Sequence, residues 1–333
     1  MCIIAQFPQK PSTMTVQKIT LSAEIPEKLL GKRLDVILSE LFKDYSRGTL
    51  QTWIKQGAVT VGQTIIQKPS QKMTHLTCIQ IQAELIEQTP WQAQNIQLNI
   101  IYEDEAMLII NKPAGLVTHP ALGSPDNTLV NALLHHCPSL NELPRAGIIH
   151  RLDKDTTGLM VVPKTLSTHH FLVDQLQQRL IARHYQALVY GTIISGGTVA
   201  ERVGRHPSHR TKMAVTPDGK QAVTHYRVNK RFADFTLLDL KLETGRTHQI
   251  RVHMHFIGHP IVGDQTYGQR LHTPKNCEPE LAEKLRQFKR QALHAIQLTL
   301  THPITKESMS FAAPLPHDFQ TLLASVKNNQ EKL

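Results

Sequence analysis

Two carboxylates, Asp153 and Asp155, stand two residues apart in a dense polar block, residues 150–157, with Arg151 and Lys154 beside them and Gly158 closing it. Apolar runs flank the block at Ile148-Ile149 and at residues 159–162, each suited to a short buried strand. Ionised side chains are buried only when paired, so the block is expected to be a loop between strands. A solvated turn is one reading of such a loop. The chemical reading is that one of the two aspartates is reactive, sits at a strand end, and is held ionised by the cations around it.

The elements around this block must position it. Residues 107–112 form an apolar run entering a Pro113-Ala114-Gly115 turn and are expected to be a buried strand. Asn127 is a candidate cap for a helix carrying Leu129, Val130, Leu133 and Leu134. Phe171, Leu172, Leu176 and Leu180 recur at helical spacing. Residues 184–190, 222–228, 235–242, 293–300 and 309–312 read as further strands, giving a sheet of about seven or eight. Ile250, Met254 and Ile257 make one apolar stripe on a helix over 248–257. Neither a βαβαβ rhythm nor a Gly-rich phosphate loop occurs, which argues against nucleotide-cofactor folds.

Ahead of this lies a smaller module. Residues 16–21 alternate like an edge strand, and Leu34, Ile37, Leu38 and Leu41 mark a helix. Ser46 is an N-cap for a second helix with Leu50, Trp53 and Ile54 on one face, and Gly57 fits its stop. Residues 59–61 and 77–81 read as short strands. Arg33, Arg47 and Lys55 on or beside the two helices suggest a small phosphate-binding surface. Residues 1–13 carry no periodic pattern and read as a disordered extension, with Met14 an alternative start. The expected division is 1–13 extension, 14–83 small phosphate-binding module, 84–99 Gln/Asn-rich linker and 100–328 domain carrying the aspartate block.

The whole chain has 333 residues with 37 Lys and Arg against 27 Asp and Glu, a formal charge of +10. That balance fits a polyanion partner. No apolar run approaches the roughly 18 residues that a membrane span needs. The four cysteines are scattered, form no C-x-x-C pair, and read as reduced thiols of a cytoplasmic protein. His135-His136-Cys137 is the nearest approach to a ligand cluster among 19 histidines. Neighbouring helical side chains point to different faces, so no metal site and no cofactor are expected.

Three blocks point to a family. His150-Arg151-Leu152-Asp153 followed by Thr157-Gly158-Leu159 resembles the central motif of the RluA-type RNA pseudouridine synthases. Residues 183–191, Arg-His-Tyr-Gln-Ala-Leu-Val-Tyr-Gly, resemble that family's tyrosine strand, and residues 242–253 its third motif. The resemblance runs from about Thr15 onward. It implies an α+β protein: an alpha-L-type RNA-binding module, similar to one in a small-subunit ribosomal protein, followed by a catalytic domain with a mixed, mostly antiparallel sheet. It implies Asp153 as nucleophile or base, Arg251 as its buried partner, and Tyr185 as stacking platform with a possible share in proton transfer. Arg's forked guanidinium suits that partnership because it can pair bidentately with a carboxylate. His150 and Arg151 fall on the substrate side, Arg151 filling the space the base leaves, and Asp155 orients the loop. The implied substrate is large-subunit (23S) ribosomal RNA, free or in a pre-ribosomal particle, at the helix 69 stem-loop. The implied enzyme is a monomer that needs no metal or nucleotide. Residues 204–212, a basic loop with a proline, supply Arg205, Arg210 and Lys212 as phosphate contacts.

Two other classes compete. Asp153-Lys-Asp155-Thr-Thr157 fits D-x-D-x-T, the loop of Mg-dependent aspartyl phosphatases of the haloacid dehalogenase type. Those enzymes want an unbroken apolar strand before the loop and a later acidic pair. Here His150-Arg151 interrupts the strand, and Asp264 is followed by Gln265, Thr266 and Tyr267. A noncatalytic rRNA-binding or ribosome-assembly protein is the second alternative; the joint presence of Asp153, Tyr185 and Arg251 argues against it.

Overall fold

The computed structural model describes residues 16–86, 91–121, 123–209, 211–268, 274 and 277–331. The expected 1–13 extension and the alternative start at Met14 lie outside the described residues, as does Arg210. Contacts divide the chain into two units, Met1–Pro90 and Trp91–Leu333.

The first unit is a four-stranded sheet carrying two helices. Its strands are β1 (Val16–Glu24), β2 (Val59–Val61), β3 (Thr64–Ile65) and β4 (Cys78–Ile86), in the order β1-β4-β2-β3. Helices α1 (Leu34–Leu41) and α2 (Arg47–Lys55) bury Leu34, Ile37, Leu38, Leu50, Trp53 and Ile54, the residues whose spacing marks them in the sequence. Ser46 caps α2: its hydroxyl accepts from the Thr49 N–H at 3.1 Å. Strand β4 runs to Ile86, past the expected module end at 83. Under this sheet one carboxylate organises the basic surface. Asp35 is fully buried and receives two bonds from Arg33 (3.0 Å each), two from Arg47 (3.2 and 2.8 Å) and one from Gln51 (2.6 Å).

The second unit is built on a nine-stranded sheet. The strands are β5 (Ile100–Glu103), β6 (Met107–Lys112), β7 (Thr157–Pro163), β8 (Ala182–Tyr190), β9 (Gly197–Val199), β12 (Thr224–Arg231), β13 (Phe235–Leu242), β14 (Leu293–Thr301) and β15 (Ser308–Ala312). Between β9 and β12 a separate hairpin forms from β10 (Val203–Arg205) and β11 (Met213–Val215). The sheet order is β5-β6-β7-β14-β8-β13-β12-β9, with β15 paired to β14. Every pairing is antiparallel except β7 with β14, so the sheet is mixed and mostly antiparallel.

Strands β6 and β7 are apolar on both faces because helices cover both. Alternate residues Leu108, Ile110, Met160 and Val162 pack with α3 (Leu129–His136) and α5 (Gln249–Phe256); Met107, Ile109, Leu159 and Val161 pack with Leu172 of α4 (Leu166–Gln177). The remaining helices are α6 (Pro279–Gln287) and α7 (His317–Glu331), which pack on each other.

Four local expectations differ from the structure. Ile148-Ile149 is not a strand; it follows a 3-10 turn, Pro144–Gly147, whose backbone is left-handed at Arg145 and Ala146. Thr128, not Asn127, is the N-cap of α3, and Asn131 Oδ1 accepts from the Thr128 N–H at 3.0 Å. Leu180 lies beyond the end of α4 and is exposed. Finally, residues 91–99 of the segment expected as a linker belong to the second unit: Asn131 donates to Gln92 O (2.8 Å), and the Asn127 N–H to Gln94 Oε1 (2.7 Å). Its amides satisfy a neighbour's backbone, which composition does not reveal.

Asp35 gives the first prediction. Burial alone would raise its pKa, but the bonds from Arg33, Arg47 and Gln51 overcome this and lower it to about 2. A carboxylate depressed on folding stabilises the fold above its unfolded pKa and loses that contribution as pH falls through the folded value. Asp35→Asn is therefore expected to cost about 2 kcal/mol near neutral pH, with the deficit shrinking between pH 4 and 2. Native-state hydrogen exchange of the α1 and α2 amides measures it; a pH-independent deficit would contradict the account.

Candidate active site

Asp153 lies in an irregular loop before β7, and side chains from other elements tie that loop's carbonyls. Thr118 donates to Leu152 O (2.7 Å), Lys112 Nζ to Lys154 O (2.9 Å), and Arg290 Nη1 to Asp155 O (3.4 Å). The loop closes on itself through the Thr156 N–H to Asp153 O at 3.1 Å. Lys112 is almost wholly buried, and its three ammonium protons go to three carbonyls, those of Pro113, Leu116 and Lys154. Burial pushes its pKa down to about 7, against the pull of Asp155 and Asp153. Gly158 then lets β7 start: its φ is +116°, and a Cβ there would run into the Ala295 backbone of β14.

Arg251, on α5, reaches the loop from the other side. Its Nη1 donates to Asp153 Oδ2 at 3.0 Å. Its fork, however, is spent on a different carboxylate: Nε and Nη2 donate to Asp264 Oδ2 and Oδ1 at 2.6 and 2.8 Å. The bidentate partner is thus Asp264, and Asp153 receives a single bond. The geometry explains the correction, because Asp264 is itself fixed, accepting from the Thr266 and Tyr267 N–H groups at 2.8 and 3.0 Å. Those bonds also leave Asp264 no role as the later acid of a metal pair. Burial raises the Asp264 pKa, but Arg251 outweighs it and the net shift is downward. Sequence reading weighs Asp264 only as the acid of a metal pair and not as the partner of Arg251, since only the fold brings the turn after α5 to Arg251.

Asp153, Arg251 and Tyr185 line one cleft of about 670 Å³ together with Arg151, Arg183 and His248. Tyr185, on β8, is buried, and its phenol has no hydrogen-bond partner among the described residues. Burial pushes its pKa up, Arg183 opposes and Asp153 adds to the rise. His150 also lines the cleft, but one ring nitrogen is committed: the Val161 N–H donates to His150 Nε2 at 3.0 Å. Loss of water and the charge of Arg183 drive its pKa down to about 3, so the ring is neutral. Arg183 is a residue the sequence reading did not single out. It is 8% exposed, and its Nε has no partner among the described residues. A buried cation at a cleft wall without a carboxylate is suited to an anionic group of a ligand.

The other expected contacts lie elsewhere. Arg33 and Arg47 are about half-exposed in the first unit, tied to Asp35, and Lys55 is exposed at the end of α2. Arg205 is exposed on β10, and Lys212 precedes β11, with its carbonyl accepting from the His206 N–H. Among the described residues no three His, Cys, Asp or Glu side chains converge as a metal site. No described helix is long and apolar enough to cross a membrane.

A family profile described as RNA pseudouridylate synthase fits residues 106–256, and an S4 domain profile fits residues 32–74. The ribosomal large subunit pseudouridine synthase D of Pasteurella multocida is 54% identical over 310 residues, 93% of this chain and 96% of that protein. That of Vibrio cholerae is 47% identical over 94% of this chain and 96% of its own. The solved structure of human RNA pseudouridylate synthase domain containing 4 superposes with a TM-score of 0.55 at 27% identity, over 69% of this chain and 93% of that one.

The Arg251–Asp264 pair yields a prediction about stability. Removing one partner of a buried ion pair typically costs about 3–5 kcal/mol. Asp264→Asn is expected to lower the melting temperature at pH 7 and to release Arg251 from its position. Because the Asp264 pKa is depressed on folding, the pair's contribution is present at neutral pH and fades as pH drops below the unfolded value of about 4. Melting curves of variant and wild type should therefore converge toward pH 3. An equal gap at both pH values would rule out the pair as the source.

Proposed function

The chain belongs to the RNA pseudouridine synthase family, and from that membership we propose that it isomerises specific uridines of large-subunit (23S) ribosomal RNA, in the helix 69 stem-loop, with Asp153 as the reacting carboxylate. The observation that carries this reading is a carboxylate paired with an almost buried guanidinium, 3.0 Å away, in a cleft shared with a buried tyrosine.

Pseudouridine formation breaks the N1–C1′ bond, turns the base, and joins C1′ to C5; the hydrogen on C5 leaves and N1 gains one, so no atoms or electrons are lost. The chain's task is to hold an anion beside the ribose and the ring and to keep water away. Asp153 does this whether it adds to C1′ or C6 or takes a proton in an elimination. Arg251 orients it, and Asp264 orients Arg251. A uracil extruded from a stem costs a few kcal/mol, which stacking on Tyr185 offsets. Arg151, exposed at the cleft, takes the place the base vacates. Arg183 receives a backbone phosphate.

The first unit supplies affinity through Arg33, Arg47 and Lys55, and the basic segment 204–212 adds Arg205, Arg210 and Lys212. One chain holds every group of the reaction centre, so a monomer suffices. The enzyme acts in the cytoplasm, where ribosomal RNA is made.

Pseudouridine mapping of rRNA from cells with and without the protein tests the substrate: loss of defined sites in the large-subunit RNA is expected, and an unchanged map refutes the reading. With purified protein, Asp153→Asn should fold, bind RNA and make no pseudouridine. Asp153→Glu moves the carboxylate by about 1 Å and should slow turnover on the order of 100-fold. A separate expectation concerns affinity. Replacing Arg33, Arg47 and Lys55 with alanine should leave single-turnover chemistry intact and reduce the slope of log K against log salt by roughly two to three. An unaltered slope would remove this surface from the RNA interface.

A further inference from the structure

His248 stands beside Asp153 but is not bonded to it. Its Nε2 lies 3.9 Å from Asp153 Oδ1, beyond hydrogen-bond reach, and the two side chains are only 23% and 18% exposed. The ring's other nitrogen is fixed. His248 Nδ1 is 2.7 Å from Tyr267 Oη, and that oxygen accepts the Met213 N–H at 2.8 Å. Tyr267 is buried. If Nδ1 carried the imidazole proton, the phenolic proton would have no partner among the described residues, a cost that buried polar groups avoid. The phenol therefore donates to Nδ1, and the imidazole proton sits on Nε2, facing Asp153.

This leaves an unspent donor, Nε2–H, opposite an acceptor, Asp153 Oδ1. An oxygen placed about 2.8 Å from each would see them at an angle of about 90°. Among the groups of a nucleotide, one kind satisfies both at that angle and can replace a bridging water: a hydroxyl, which accepts from Nε2–H and donates to Oδ1. Within an RNA chain the 3′ and 5′ oxygens are esterified, and uracil offers only carbonyls and N–H groups. The sole hydroxyl of an in-chain uridine is the ribose 2′-OH.

We propose that His248 and Asp153 together clasp the 2′-hydroxyl of the target nucleotide, which makes His248 a specificity residue that separates RNA from DNA. Tyr267 and the Met213 backbone act as positioning groups that set its tautomer. The inference rests on the reading that a uridine of an RNA chain enters this cleft. The backbone supports it: His248 adopts φ 56°, ψ 20°, a left-handed conformation at the start of α5 that costs energy for a side-chain-bearing residue and aims the ring at the loop. Met213 belongs to β11, the partner of the strand that carries Arg205, so the same hairpin holds the relay's first donor.

The test uses the full-length protein and the stem-loop RNA around a uridine mapped as above, made with ribose or 2′-deoxyribose at that one position. Binding and single-turnover pseudouridine formation are measured for wild type, His248→Asn and Tyr267→Phe. Asparagine tolerates left-handed backbone but is too short to reach. The ribose-to-deoxyribose ratio is taken within each variant, so a general loss of stability cancels. Wild type should prefer ribose. His248→Asn should cut that preference about fivefold, the worth of one hydrogen bond, and Tyr267→Phe by about half as much. An undiminished preference in His248→Asn, with normal wild-type turnover, overturns the clasp and leaves the synthase reading intact. A preference in binding that His248→Asn abolishes, without any pseudouridine formed by wild type, supports the clasp and sinks the reaction assignment.

Discussion

One guanidinium joins parts of the chain that have no other reason to meet. Arg251 bonds Asp153 and Asp264, respectively 98 and 13 residues away in sequence. Taking a cation and two anions out of water is expensive, and the arrangement is tolerable because most of the Arg251 donors and both oxygens of Asp264 are satisfied. Arg251 gives three of its N–H groups to carboxylates, and Asp264 also accepts two backbone amides. The consequence is positional. With Asp264 holding the fork, Arg251 cannot swing, and its remaining Nη1 presents a fixed positive charge to Asp153. Lysine could supply the charge but not the two-pronged hold.

The loop bearing Asp153 has no regular hydrogen bonding of its own, so its conformation is imposed from outside. Lys112, Thr118 and Arg290 come from three different segments and each captures one carbonyl. Lys112 is a demanding choice for such a place, because burial penalises its charge, yet its three donors meet three carbonyls. A reacting group held this way is placed by its neighbours' rigidity, while the peptide around it keeps the freedom to turn a carboxylate toward the cleft. The cost is that several elements must fold before the site exists.

Charge is distributed on the same principle. Where basic side chains are gathered, a buried acid collects them: Asp35 fixes Arg33 and Arg47, leaving the pair net positive and outward-facing. Where the cleft faces a ligand, Arg183 has no such acid among the described residues, and its charge remains to be met. The same contrast separates Asp264, whose oxygens are saturated, from Asp153, which keeps an oxygen directed at an unspent His248 donor.

Much of this was legible in the residues. Period-two and period-3.6 patterns located both helices of the first unit and most strands of the second, because burial on one or two faces writes itself into side-chain order. The block at 150–158 declared itself a loop, since four charged groups within the five residues 151–155 cannot be core. The grouping of Asp153, Tyr185 and Arg251 came from motif resemblance, and the fold brings them to one cleft. What sequence order could not decide was pairing. Nothing in the local pattern says that Arg251 spends its fork on Asp264, that Arg183 meets no acid among the described residues, or that Tyr267 fixes the tautomer of His248. Nor could composition tell that residues 92 and 94 dock on α3 and the turn before it instead of linking freely. Hydrophobic periodicity is a one-dimensional signal that sequence carries in full; which donor meets which acceptor depends on distances of a few tenths of an ångström between segments far apart in the chain, and those exist only once the sheet and helices have closed.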